Sequence, residues 1–198
     1  YFKSLSLKMD GNQAKAFANM KEFITTEKFQ QELQESSPSY HALTRDTCSL
    51  TMLEGSKKIN VVPPVAAAEI DCRMLPDRTS EEFIQDIKDL VEPAGVDVEV
   101  ILAFSPAVSS VDSEFFKHIT NVTQKLHPGS RIVPAVSTGF TDSHFTRDLG
   151  IDSYGFNPVL FDAKDWRGVH GNNERVSIAG YLKGTEDLHQ IVSQFVTD

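Results

Sequence analysis

Apolar side chains recur at helical spacing in four parts of the chain. In residues 1–46, the positions of Ala16, Met20, Phe23 and Ile24 predict one or two amphipathic helices. Three longer stripes of apolar residues fall within positions 83–91, 115–126 and 178–195. The spacing therefore predicts three longer helices, each with one side on a hydrophobic core.

Start signals precede these three longer helices. Thr79 and Glu82 have the spacing of a capping box, in which each side chain bonds the backbone N–H of the other residue. Asp112 or Ser113 is placed to cap the next helix, and Ser177 to start the last one. The helix starts are thus predicted near residues 79, 113 and 177.

A period of two replaces the helical period from Thr47 onward. Alternation predicts strands over residues 47–53, 68–74 and 96–102. In the second of these, Ala68, Ile70, Cys72 and Met74 share a face that we expect to be core, opposite a wet face carrying Arg73. Strands combined with the helix after residue 79 predict an α+β sandwich, with one sheet under helices.

Composition narrows the functional classes. The 198 residues carry a formal net charge of -9 with scattered Lys and Arg, which argues against nucleic-acid binding. No run approaches the roughly 20 apolar residues needed to span a membrane. Cys48 and Cys72 could pair, but they lack a close motif spacing, and we expect two core thiols. The compartment stays open, with the cytoplasm slightly favoured.

The richest candidate chemistry lies between residues 132 and 174. An apolar run over 132–136 leads into the polar turn Ser137–Asp142, and a short helix is predicted with Asp142 as N-cap and Gly150 beyond its end. Such a helix entrance suits an anionic or polar ligand group. His170 lies between glycines in a later loop. From the residues alone, a surface loop histidine beside an ordinary turn is the favoured interpretation.

Five stretches in order resemble the zinc-dependent M20 metallopeptidase family. They are Asn60–Pro63, Glu69–Pro76, Ser137–Phe145, Gly150–Phe156 and Val169–Ser177. The similarity covers nearly the whole chain and is greatest to the carboxypeptidase S-like and N-acyl-amino-acid hydrolase branch. It implies a partial α+β lid and dimerisation domain over residues 1–105. Residues 106–198 would be the C-terminal half of an α/β zinc-peptidase catalytic domain.

The resemblance also assigns substrate-binding roles. Asn60 and Arg73 match an asparagine and an arginine that bind the substrate carboxylate in that family, and an amide beside a guanidinium fork suits this task. Gly139 and Thr141 match a turn that touches substrate. Many relatives carry a small residue where this chain has Phe140, so the pocket shape can differ here. Without the resemblance, Arg73 would simply balance the acidic side chains on its strand face.

The metal site of the resembled family contains two zinc ions, and His170 matches its last ligand in chain order. The family takes its other ligands and its catalytic base from a segment before the lid that includes a His-x-Asp motif. This sequence has no His-x-Asp motif. We therefore expect no catalytic residue in this chain and no retention of the two zinc ions by this chain alone.

The resulting functional prediction is part of an M20-like metallopeptidase or amidohydrolase, inactive by itself. The complete enzyme would cleave an amide bond next to a free carboxylate, in a peptide or an N-acyl amino acid, and would form a homodimer through the lid. The alternative is a non-catalytic dimerisation or carboxylate-binding module that lacks the metal site.

Overall fold

The computed structural model describes residues 1–166 and 168–197. These residues form ten α-helices, one short 3-10 helix and two β-strands. They divide into two compact units. The first comprises Tyr1–Val108 with Ala135–His144, and the second comprises Ser109–Pro134 with the described residues from Phe145 onward. The domain boundary between residues 105 and 106 stays a prediction.

Five short helices open the first unit. They are α1 (Phe2–Ser6), α2 (Gly11–Ala18), α3 (Met20–Phe23), α4 (Glu27–Ser36) and α5 (Pro38–Ala42). The prediction of one or two helices was wrong in number, because Asn19 leaves helical geometry and Ser37 precedes a proline. The helices close around Phe17, whose ring contacts Phe2 and Tyr40 with centroids 5.2 and 5.3 Å away.

An antiparallel hairpin follows. Strand β1 (Thr47–Glu54) pairs with β2 (Ala67–Arg73), with an irregularity between Leu50 and Met52. Cys48 lies opposite Cys72 and is joined to it by a disulfide, so the expectation of two core thiols was wrong. Cross-strand neighbours approach closely enough for this bond, which the separation of 24 residues in sequence did not reveal.

Both faces of the hairpin are exposed, which corrects the expected core face. Leu50 is 59% exposed and Ile70 is 48% exposed, because no described element covers them as the predicted sandwich required. In the described residues the sheet has these two strands. The alternating segment 96–102 and the apolar run 132–136 form no strand there, since neither has a neighbouring strand to pair with.

Helix α6 (Ser80–Val91) begins as predicted. The Thr79 hydroxyl accepts a hydrogen bond from the Glu82 N–H, and the Glu82 carboxylate accepts one from the Thr79 N–H. A 3-10 turn, Glu92–Ala94, then ends at Gly95, whose φ of 75° suits glycine. The predicted capping box is therefore confirmed.

The second unit is built on two helices. Helix α7 (Glu114–Leu126) starts at Ser113, whose hydroxyl accepts a hydrogen bond from the Phe116 N–H, so Ser113 is the cap. Between α7 and the last helix lie two short ones, α8 (Ser143–Asp148) and α9 (Ala163–Trp166). Helix α10 (Ile178–Thr197) begins directly after Ser177, as predicted. The core between α7 and α10 contains Ile119, Val122 and Ile191.

Two features fix the position of α10 within this unit. A Cβ added to Gly184 would meet the Val159 side chain at 2.6 Å, so the helix and an extended segment touch through glycine. The Asp187 carboxylate, 1% exposed, accepts hydrogen bonds from His127 Nε2 and Lys183 Nζ, both at 2.7 Å. The bond from His127, which follows α7, thus joins that helix to α10, while the bond from Lys183 lies within α10.

Candidate functional site

Asn60 lies in the turn that follows β1. The turn is closed by a hydrogen bond of 3.3 Å from the Val61 N–H to the Lys58 carbonyl. The Asn60 side chain is exposed and, among residues 1–166 and 168–197, makes no hydrogen bond. Its amide is therefore available to a ligand on the surface of the first unit.

Arg73 is the last residue of β2, opposite Thr47. Its Nη2 lies 2.6 Å from Asp71 Oδ2, and the two side chains are 45% and 47% exposed. The structure thus contains the local ion pair that the sequence suggested as the alternative to substrate binding. Exposed ion pairs are weak, about 0–1 kcal/mol, so this one leaves the guanidinium exchangeable with another carboxylate.

The turn around Gly139 is closed by its own side chains and backbone. The Ser137 hydroxyl accepts a hydrogen bond from the Gly139 N–H at 3.1 Å, and the Thr141 carbonyl accepts one from the His144 N–H at 3.2 Å. Gly139 and Thr141 are both exposed. Helix α8 begins one residue after Asp142, which confirms the predicted short helix.

The end of α8 also follows the prediction. Gly150 lies just past the helix with φ of 76°, and its N–H donates to the Arg147 carbonyl at 2.8 Å. The Ile151 N–H donates to the Thr146 carbonyl at 3.0 Å, which satisfies another carbonyl of the last helical turn. A left-handed residue is needed here, so the glycine is the sequence signal that marked this helix end.

An aromatic cluster of Phe104, Phe140 and His144 adjoins the turn. The Phe104 ring centroid lies 4.6 Å from that of Phe140 and 4.5 Å from that of His144. Phe140 and His144 are 6.0 Å apart. Sequence reasoning identified Phe140 but missed Phe104, because no local pattern links positions so far apart in the chain.

His170 lies in the second unit, in the loop after α9. Its backbone has φ of 62°, the left-handed region, and its side chain is exposed. A turn supports it, because the Gly171 N–H donates to the Gly168 carbonyl at 2.9 Å. The loop histidine is thus held in an unusual backbone conformation with its side chain on the surface.

Two contacts of charged side chains surround α9, the helix from which this loop leaves, and sequence reasoning missed both. Asp162 Oδ1 accepts hydrogen bonds from the N–H groups of Asp165 and Lys164, at 2.8 and 2.9 Å, and caps α9. The hydrogen bond from the Asp165 N–H, followed by that from Lys164, holds the pKa of Asp162 below its usual value, although some loss of hydration opposes them. Arg175 Nε donates to Asp165 Oδ1 at 2.7 Å and ties the far side of the loop to the helix.

The described residues do not fit a complete zinc site by themselves. A hydrolytic zinc needs three protein ligands and an open position. In the described ranges, no three His, Cys, Asp or Glu side chains are grouped so that they could hold a metal ion. His170 brings one imidazole, and Asn60, Arg73, Gly139 and Thr141 belong to the other unit. A metal step cannot be derived from these residues.

Comparison with known proteins identifies relatives. Residues 3–99 match the family model of the peptidase dimerisation domain, M20_dimer. The chain is 31% identical over 168 residues to the human "N-fatty-acyl-amino acid synthase/hydrolase PM20D1", covering 83% of this chain and 34% of that protein. It is 25% identical over 172 residues to the "Probable carboxypeptidase S-like 1" of Dictyostelium discoideum, covering 84% and 35%. The chain spans about a third of the length of these relatives.

A solved structure shares the fold. It is an M20 family metallo-carboxypeptidase, Sso-CP2, from Sulfolobus solfataricus, which aligns with a TM-score of 0.58 and 21% identity. The alignment covers 96% of this chain and 43% of that one. Of the helices in the described part of the chain, none combines the length and hydrophobicity that a bilayer crossing requires.

Proposed function

Because the chain belongs to the M20 peptidase family, we propose that it is part of a hydrolase cleaving an amide bond next to a free carboxylate. The match of residues 3–99 to the peptidase dimerisation domain carries this proposal. The names of two relatives support the substrate class, since an N-acyl amino acid and the end of a peptide both present a carboxylate beside an amide. Peptides and N-acyl amino acids are the proposed substrates.

Asn60 and Arg73 bind the carboxylate in this proposal. The guanidinium donates two hydrogen bonds to a carboxylate, and the Asn60 amide adds a third. The ion pair with Asp71 is the competing interaction, and its exposure keeps the cost of exchange small. A substrate carboxylate that also accepts a hydrogen bond from the Asn60 side chain binds Arg73 more strongly than Asp71 does.

The turn at Gly139 and Thr141 orients the substrate chain. Its exposed backbone and hydroxyl are polar groups that suit an amide. The closure by Ser137 and His144 supports this role, because a turn with fixed geometry holds a bound group at lower entropic cost.

His170 is proposed as one imidazole ligand of a two-zinc site whose remaining ligands come from outside the described residues. The exposed loop leaves α9, which Asp162 caps, and is joined back to that helix by Arg175, and this supports the role. Zinc ions in such a site would activate water for hydrolysis. The chain alone is proposed to hold no zinc and to be inactive.

The domain arrangement is part of the proposal. Residues 1–105 form the larger part of a lid that pairs two copies of the protein, and residues 106–198 form the C-terminal half of a catalytic domain. The dimerisation-domain match over residues 3–99 supports the lid assignment and the homodimer. The shared fold with a metallo-carboxypeptidase supports the remainder.

A non-catalytic carboxylate-binding module is the second candidate. One observation favours it: Asn60 and Arg73 both lie inside the matched dimerisation domain, whereas His170 does not. A lid could therefore retain carboxylate binding without any metal chemistry.

Metal content and amide hydrolysis separate the two candidates. We would measure both on this chain and on a form extended by the encoded upstream sequence, with a panel of N-acyl amino acids and dipeptides. About two zinc ions per extended chain and hydrolysis by that form alone support the enzyme. An extended form that binds no metal and hydrolyses nothing, yet still binds the panel, supports the module.

Single variants of the extended form test the residue roles. Arg73→Ala is expected to weaken the binding of substrates with a free carboxylate, because it removes the charge that recognises this group. Binding of the same compounds with an amide in place of the carboxylate should be unaffected. Arg131→Ala, which removes another exposed arginine, is the matched control. Equal losses in the two variants would contradict the role of Arg73.

A further inference from the structure

The geometry points to Phe140 as a specificity-determining residue, whose ring contacts an apolar group of the substrate beside the amide. The inference rests on the proposed function and adds the chemical character of the substrate. It predicts a preference for substrates with a large apolar group directly next to the reacting bond, which the carboxylate contacts by themselves would not produce.

The position of Phe140 is the first observation. It lies between Gly139 and Thr141, the two residues of the turn proposed to touch substrate. Its side chain is 46% exposed although it also packs on Phe104. A ring that is half packed and half exposed beside a polar turn offers one apolar surface to a ligand.

The second observation is how firmly the ring is supported. Phe104 contacts both Phe140 and His144, with centroids 4.6 and 4.5 Å away. The Phe104 carbonyl accepts a hydrogen bond of 3.0 Å from the hydroxyl of Ser80, which is 7% exposed at the start of α6. A series of contacts therefore runs from a capped helix to the ring.

The turn itself is coupled to this cluster. The His144 N–H donates to the Thr141 carbonyl, while the His144 ring lies 6.0 Å from the Phe140 ring. Backbone and rings thus hold the turn together. Because the apolar ring and the polar groups of the turn are held side by side, they favour substrates that have an apolar group next to an amide.

Two parts of a substrate could supply the apolar group: the acyl chain on one side of the amide, or the side chain of the amino acid on the other. The ring recognises the same chemistry in either case. Two substrate series distinguish the sources. One varies the acyl group on a constant amino acid, and the other varies the amino-acid side chain with a constant acyl group.

The test compares Phe140→Leu and Phe140→Tyr with the parent full-length protein. The readout is the ratio of kcat/KM for the bulky apolar substrate to that for the small one, in each series. Loss of the ring contact is expected to lower this ratio roughly three- to tenfold in one series for Phe140→Leu. Phe140→Tyr keeps the ring and is expected to retain the ratio. Phe23→Leu, which removes a ring paired with Phe29 at 5.6 Å in the N-terminal helices, is the matched control.

Three outcomes overturn the inference. The ratio could stay unchanged in both series, it could fall equally in the Phe23→Leu control, or it could rise on loss of the ring, which would make Phe140 a steric limit. A full-length protein that hydrolyses nothing refutes the proposed function separately. In that case calorimetry measures the dissociation constants for the same substrate pairs. A loss of preference for the bulky apolar substrate in Phe140→Leu supports the role of Phe140, whereas an unchanged preference or no binding overturns it.

Discussion

The Asp187 carboxylate on α10 is hydrogen-bonded to His127, the residue that follows α7. This carboxylate is almost fully buried and accepts one hydrogen bond from His127 and one from Lys183, each 2.7 Å long. Asp187→Asn keeps the shape of the side chain and removes its charge. The variant also replaces one of the two acceptor oxygens by an NH2 group, so it removes the charge together with one hydrogen bond.

The magnitude follows from the two contacts. A hydrogen bond to a charged group contributes about 1.5–3 kcal/mol. The side chains of His127 and Lys183 are 31% and 46% exposed, so water replaces part of what each loses. The two bonds end on different carboxylate oxygens, and asparagine keeps only one acceptor oxygen, so the variant retains at most one of them as a weaker bond. We expect a loss of about 2 kcal/mol in the free energy of unfolding.

The pH dependence gives a second signature. Burial alone would raise the pKa of Asp187, but the hydrogen bonds from Lys183 and His127 outweigh it and hold the pKa below its usual value. The unfolded chain then binds more protons in acid than the folded one does. The stabilisation is present above the ordinary aspartate pKa of about 4 and is lost as the pH falls below it.

Urea denaturation followed by circular dichroism at pH 7 and pH 3 measures both effects. Glu186→Gln is the matched control, because Glu186 also contacts Lys183, at 3.1 Å, but is 60% exposed, and we expect a change under about 0.5 kcal/mol. The difference between Asp187→Asn and the parent should shrink at pH 3. An Asp187→Asn variant within about 0.5 kcal/mol of the parent at pH 7 would refute the reasoning.

Three other substitutions test local features. Gly184→Ala forces a methyl group against Val159 and should cost about 1–3 kcal/mol in thermal denaturation, whereas Gly155→Ala, with open space around the added methyl, should be nearly neutral. Thr79→Ala removes the capping box of α6 and should cost about 1 kcal/mol, and an unchanged melting temperature would count against it. Replacing Cys48 and Cys72 together by serine opens a loop of 24 residues and should lower the free energy of unfolding by roughly 3 kcal/mol. Free thiols found in the parent protein by mass spectrometry would contradict the disulfide.

Structural features that depend on contacts between residues close in sequence were predicted correctly. The capping box at Thr79 and Glu82, the helix start at Ser177 and the helix end at Gly150 all involve partners within about five positions. The partners in such contacts are close in sequence, so a local pattern contains both of them. This is why the starts of α6, α7, α8 and α10 could be predicted from the sequence alone, whereas those of the short N-terminal helices were not.

Features that need a distant partner were not recovered. Alternation over residues 96–102 is compatible with a strand, but strand hydrogen bonds come from a neighbour that the pattern does not identify. The same holds for Cys48 and Cys72, whose pairing depends on hairpin register. For the candidate site, the turn and the loop of His170 were located, while the support from Phe104 was not.

The left-handed backbone of His170 makes this position unfavourable for the stability of the fold. A side chain other than glycine or asparagine in that region costs roughly 1–2 kcal/mol. A redesign aimed only at thermal robustness would therefore replace His170 among its first choices. The zinc-ligand role proposed above would account for an imidazole at this strained position, in the way that functional loops trade rigidity for reactivity.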